Sequence, residues 1–288
     1  AAGKGITLDN TYSESTNYTT LYTPGSIDVK NNSVLYTTNK DLNMYGTDTT
    51  IADSTLVFNG LNFVHPSGMV NNVTIKDGTT LSETNPYSEG IKISTNGNLT
   101  IDNAKLQRRG FSATVDQDTL DMNVTLDKAQ NQDSITLEST GGKVTIKNGS
   151  NITTNKGDIT ANALNSTKGE VFVQNSKLTS AGDINLNQAL THNAGKHITK
   201  DSTLKGKNIR ITTKNDDADI NADIDNFANL SYSERLVLNA GRDNNITGTN
   251  KTLNATRVDF NANRNNNINI KNGNVYADDT TFNGHVNN

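Results

Sequence analysis

The chain has 288 residues, of which 32% are hydrophobic, with no tryptophan, no cysteine and a net charge of −4. The absence of cysteine excludes disulfides and thiolate metal sites. Charge of both signs is dispersed without a basic stripe, so nucleic acid and anionic membrane are not expected partners, and no run approaches the ~18 apolar residues of a membrane span.

Taken in chain order, short alternating apolar triplets recur almost from end to end: Ile6-Thr7-Leu8, Val73-Thr74-Ile75, Leu99-Thr100-Ile101, Val144-Thr145-Ile146, Val171-Phe172-Val173, Ile209-Arg210-Ile211, Leu236-Val237-Leu238 and Ile268-Asn269-Ile270. Each places two apolar side chains on one face of a three-residue strand, and Gly, Asn, Asp, Ser and Thr clusters separate them. A strand this short is not stable alone and needs a like neighbour above and below. The pattern therefore predicts an all-β solenoid of stacked β-coils rather than a disordered chain or a closed globule. At about 22 residues and ~4.8 Å per coil, the expected rod has about a dozen coils and is ~60 Å long.

Asparagine supplies 46 residues, well above a globular share. Asn tolerates the left-handed backbone region at tight corners and forms amide ladders when stacked, so tetrads such as Ile146-Lys147-Asn148-Gly149 and Lys271-Asn272-Gly273-Asn274 read as corners. All three prolines and six of the eight tyrosines lie in the first third. This asymmetry divides the chain into 1–98, expected to be irregular coils with loops leaving the helix, and 99–288, expected to be a regular shaft. In the shaft, Ile146 to Val173, Ile211 to Leu238 and Leu238 to Phe260 read as coil repeats.

Candidate recognition residues are the aromatic rings of the first zone, Tyr12, Tyr18, Tyr22, Tyr36 and Tyr45, because flat amphipathic rings stack on sugars or anchor protein partners at low entropic cost. Arg108 and Arg109 add two guanidinium forks suited to a carboxylate. Asp219, Asp223 and Asp225 are candidate oxygen ligands for Ca²⁺, set against a solvated acidic turn, and no other cofactor is expected. The Asn-x-Ser/Thr sequons at Asn17, Asn72, Asn98 and Asn123 are candidate glycosylation sites. His192 and His197 lack a neighbouring carboxylate in sequence, no serine lies in a Gly-x-Ser-x-Gly elbow and no phosphate-loop motif occurs, so catalysis is not expected.

Runs such as Gly142-Lys143-Val144-Thr145-Ile146-Lys147-Asn148-Gly149-Ser150-Asn151-Ile152-Thr153, Ala181-Gly182-Asp183-Ile184-Asn185-Leu186 and Leu236-Val237-Leu238-Asn239-Ala240-Gly241-Arg242-Asp243 resemble the degenerate repeats of two-partner-secreted exoproteins. That group includes filamentous haemagglutinin, the high-molecular-weight adhesins and contact-dependent growth inhibition effectors. The resemblance implies a right-handed parallel β-helix, exported through a cognate outer-membrane pore and displayed on a bacterial surface as a monomeric rod. Family members begin with a secretion domain bearing Asn-Pro-Asn signatures, whereas Asn85-Pro86 is followed here by Tyr87. The chain is therefore expected to be a segment downstream of that domain, binding a host-cell glycan or surface receptor as part of an adhesin. The alternatives are the receptor-recognition region of a growth inhibition effector, acting on an outer-membrane receptor of neighbouring bacteria, and a polysaccharide-cleaving β-helix or tailspike.

Overall fold

The computed structural model describes residues 4–38, 40–64, 67–83, 90–107, 134–154, 157–189, 196–214, 217–225, 235–284 and 286–287. These residues form a parallel β-helix. The chain turns through three strands per coil, as in Ile6–Asp9, Tyr12–Ser15 and Thr19–Tyr22, followed by Ile27–Lys30, Val34–Thr37 and Leu42–Tyr45. Strands in the first and second positions build a 21-stranded sheet, and those in the third position build an 11-stranded sheet with one strand for each coil.

Alternation within each strand creates the core. In the first position Val29, Ile51, Ile75, Ile101, Ile146 and Val173 lie in direct register, one above another, and all are fully buried. The second position stacks Leu35, Leu56, Leu81, Leu106, Ile152, Leu178 and Leu204 in the same way. The third stacks Ile91, Ile135, Ile159, Ile184, Ile209, Leu236 and Val258. Each of these side chains contributes roughly 1.5–3 kcal/mol on burial. Three thin columns consume little apolar material per coil, which is how a chain of this polarity holds a continuous core.

The corner between first and second strands is made by residues that suit it. Every described non-glycine residue with positive φ is Asn or Asp, and Asn10, Asn32, Asp53, Asp77, Asn103, Asn148, Asn175 and Asp201 recur at this same corner in successive coils. The short polar side chain lowers the cost of the left-handed conformation. One or two residues later the chain turns a small residue inward. The hydroxyls of Ser33, Thr79, Ser150 and Ser202 donate to the carbonyls of Lys30, Lys76, Lys147 and Lys200, at 2.6–2.8 Å. Several of them also accept a backbone amide from the preceding coil: Thr11 on Ser33, Ala104 on Ser150 and Ser176 on Ser202. Buried corner backbone is thereby satisfied without water.

The stacking continues through the expected division at residues 98 and 99, where Val73 opposes Leu99 and Ile93 opposes Leu137. The outer faces carry amide ladders. Asn72 Nδ2 donates to Asp48 Oδ1, Asn72 Oδ1 accepts the Asn98 backbone amide, and Asn98 Oδ1 accepts that of Lys143. On the third strand, Asn187 Nδ2 reaches Asn162 Oδ1 at 2.9 Å.

Candidate functional site

The five tyrosines fall in the first two coils and wrap one edge of the rod. Tyr12 belongs to Tyr12–Ser15 and points outward with 68% of its surface exposed. Its hydroxyl donates to Glu14 Oε2 at 2.8 Å, and Glu14 lies directly against Tyr36 in the next coil. Tyr22, 59% exposed, ends the strand Thr19–Tyr22 and lies against Tyr45. The half-buried Tyr45 accepts a hydrogen bond from Asn62 Nδ2 at 3.2 Å. Between these strands, in the turn that joins them, Tyr18 is 62% exposed and carries Lys40 Nζ 5.3 Å from its ring centroid.

Local sequence explains this arrangement. Alternation in Tyr12–Ser15 sends Ser13 inward against Leu35 and leaves Tyr12 and Glu14 outward. Ser15 Oγ accepts the Asn17 amide at 3.1 Å, closing the tight turn that projects Tyr18. The edge thus presents three exposed rings, two half-buried rings, one carboxylate and one ammonium group. The hydrogen bond to Glu14 holds the Tyr12 phenol above its ordinary pKa, with burial and the Glu14 charge adding to the effect. Flat faces beside hydrogen-bonding groups suit a ligand with apolar ring faces and polar edges.

Searches against family models, curated proteins and solved structures find no match.

Arg108 and Arg109 lie outside the described residues. The strand Asp217–Asp225 places Asp219 opposite Asn245 and Asp225 opposite Asn254, with Asp223 opposite Thr203 on the other side. The side chains of these three aspartates lie outside the described residues. Among the described residues, no group of three His, Asp or Glu is placed to hold a metal ion.

The sequons divide by environment. Asn17 is exposed in the Ser15–Asn17 turn. Asn72 and Asn98 instead commit their carboxamides to the outer ladder, where Asn98 Nδ2 also approaches Asn72 Oδ1 at 3.3 Å. Asn123 lies outside the described residues.

Sequence reasoning missed the partners of the rings, Glu14 and Lys40, and it missed the outward column of the third strand. There Asn43, Asn62, Ser94, Glu138, Asn162, Asn187, Thr212, Asn239, Asn261 and Asn283 stand in register along the rod. The signal was present as apolar-Asn-small triplets: Ala161-Asn162-Ala163, Leu238-Asn239-Ala240 and Phe260-Asn261-Ala262.

Proposed function

We propose that this chain is a receptor- or glycan-binding segment of a secreted, surface-displayed bacterial adhesin of the two-partner type, binding rather than catalysing, with the tyrosine edge of its first two coils as the contact surface. The exposure of Tyr12, Tyr18 and Tyr22 at one edge carries this reading. Three large rings that protrude into water from a ladder of short strands add nothing to the core. Well over half of each ring's surface faces water and is open to a partner, whose binding desolvates it. Glu14 and Lys40 beside them supply orientation, as polar groups at the margin of an aromatic contact do. A stack of parallel coils holds such an edge at a fixed place on a stiff support.

A glycan array and a cell-binding assay with the purified chain test this, alongside a variant carrying Tyr12→Ala, Tyr18→Ala and Tyr22→Ala. Because these side chains are exposed, the variant is expected to melt like the parent and to lose at least tenfold in binding. Equal binding by parent and variant would remove the site. Binding confined to bacterial outer membranes, with host cells and glycans untouched, would replace the adhesin reading with recognition of a neighbouring bacterium.

A further inference from the structure

A second surface lies in the late coils, where the third strands end. In the third strand, the residue that follows the asparagine column varies along the rod, from Met44 and Phe63 through Ser139, Ala163 and Gln188 to Ala240 and Ala262, and of these Ala262 is half-exposed. Over the late coils the surface forms a groove of about 340 Å³, lined by Lys214, Asn239, Gly241, Asn261, Ala262 and Asn283 among others. It crosses four successive coils and so extends roughly 15 Å along the axis at ~4.8 Å per coil.

One wall is a ladder of carboxamides. Asn261 Nδ2 donates to Asn239 Oδ1 at 2.9 Å, and Asn283 Nδ2 donates to Asn261 Oδ1 at 2.6 Å. Each step uses one N–H and one carbonyl lone pair, leaving the second N–H and second lone pair of each amide for a ligand. The groove therefore offers alternating donors and acceptors at a constant axial repeat. Its upper end carries the exposed Lys214, which makes no ion pair among the described residues. Among the described residues, the acidic groups two positions from the wall residues Gly241 and Asn261 are engaged, Asp243 by Arg264 Nη2 and the Asn265 amide, and Asp259 by Arg257 Nε at 3.1 Å, while Asp216 lies outside the described residues.

From this geometry we infer that the groove binds an extended acidic polysaccharide strand, with sugar hydroxyls on the Asn239, Asn261 and Asn283 ladder and a uronate-type carboxylate on Lys214. Hydroxyl groups both donate and accept, as carboxamides do, and in an extended glycan they repeat at a spacing close to the coil rise. A peptide strand fits less well. Its backbone groups seek an open sheet edge, whereas the third-strand backbone at Asn239 and Asn261 is already paired on both sides. The inference does not rest on the tyrosine edge, which lies in other coils.

Calorimetric or NMR titration of the whole chain with an oligogalacturonate, a neutral oligoglucan of equal length and an extended peptide tests the inference. The expected result is binding of the oligouronate alone. Lys214→Ala should weaken it about tenfold, as loss of one charge-assisted contact does. Ala262→Phe, which fills the half-exposed corner, should abolish it. Lys214 is exposed, so its variant reports binding even if the Ala262 variant folds poorly. No oligouronate binding, equal binding of the neutral strand, preference for the peptide, or insensitivity to Lys214→Ala each overturns the inference.

Discussion

The backbone amide of Ser176 donates to the hydroxyl of Ser202 in the following coil at 3.1 Å, and that hydroxyl donates to the carbonyl of Lys200 at 2.8 Å. Two corners are thereby joined through one buried side chain. Ser202→Ala leaves the buried Ser176 amide without a partner, while the Lys200 carbonyl keeps the Asn175 amide at 3.0 Å, and the substitution should cost about 1–3 kcal/mol in denaturant unfolding. Ser202→Thr should retain most of the stability, because Thr79 makes the equivalent bond to Lys76. Equal losses for alanine and threonine would contradict the corner role.

At the neighbouring corner position Asn103 has φ of 50°. Asn103→Ala forces a Cβ-bearing residue without a compensating side chain into the left-handed region, an expected loss of about 1–2 kcal/mol. Asn103→Gly should lie within a few tenths of the parent, since glycine has no such penalty. Chemical denaturation of the two variants side by side separates backbone strain from lost hydrogen bonding.

Ile101 is fully buried between Ile75 and Ile146. Truncation by Ile101→Ala opens a cavity in a column with no lateral slack, and a loss of about 2–5 kcal/mol is expected. Because coils contact chiefly their neighbours, the effect should be local. Hydrogen exchange should accelerate first in Asn72–Lys76 and Val144–Lys147 and least in Arg257–Ala262. Uniform acceleration along the chain would mean that the rod opens as one unit.

The Tyr12 phenol, held above its ordinary pKa chiefly by its hydrogen bond to Glu14, gives a pH signature. Since the folded value exceeds the unfolded one, the stabilisation is complete below the unfolded pKa and disappears as pH rises through the folded one. Spectrophotometric titration should show a phenol ionising above the ordinary tyrosine range that Tyr12→Phe removes. Glu14→Gln should move it back toward the ordinary range, and a titration curve unchanged by that substitution would exclude the interaction.

Much of the architecture was readable because coil repeats are literal in the apolar residues. The pairs Ile146 with Val173, Ile211 with Leu238 and Leu238 with Phe260, inferred from spacing, are true partners in adjacent coils. Asn148 and Asn272, read as corner residues, both have positive φ. The second strand of each coil was harder to see. Tyr12–Ser15 and Thr80–Glu83 hold at most one inward aliphatic residue, and alternation around a single apolar position has no detectable period. The corner hydroxyls escaped notice for a related reason, because in sequence an inward Ser33 or Ser150 looks like any other loop serine. For the tyrosines, sequence gave the cluster, while the division into two faces meeting at Tyr18 required the register of Glu14 on Tyr36 and Tyr22 on Tyr45.

The outer ladder at Asn98 holds a broader lesson. Its backbone amide reaches Asn72 across 26 residues, while its side-chain oxygen receives Lys143 across 45, and both contacts are 3.0 Å long. Neighbouring turns keep identical alignment whatever length of polypeptide links them, and closing a longer link costs only slightly more. A chassis with that tolerance admits extra residues between one rung and the next without renegotiating its frame.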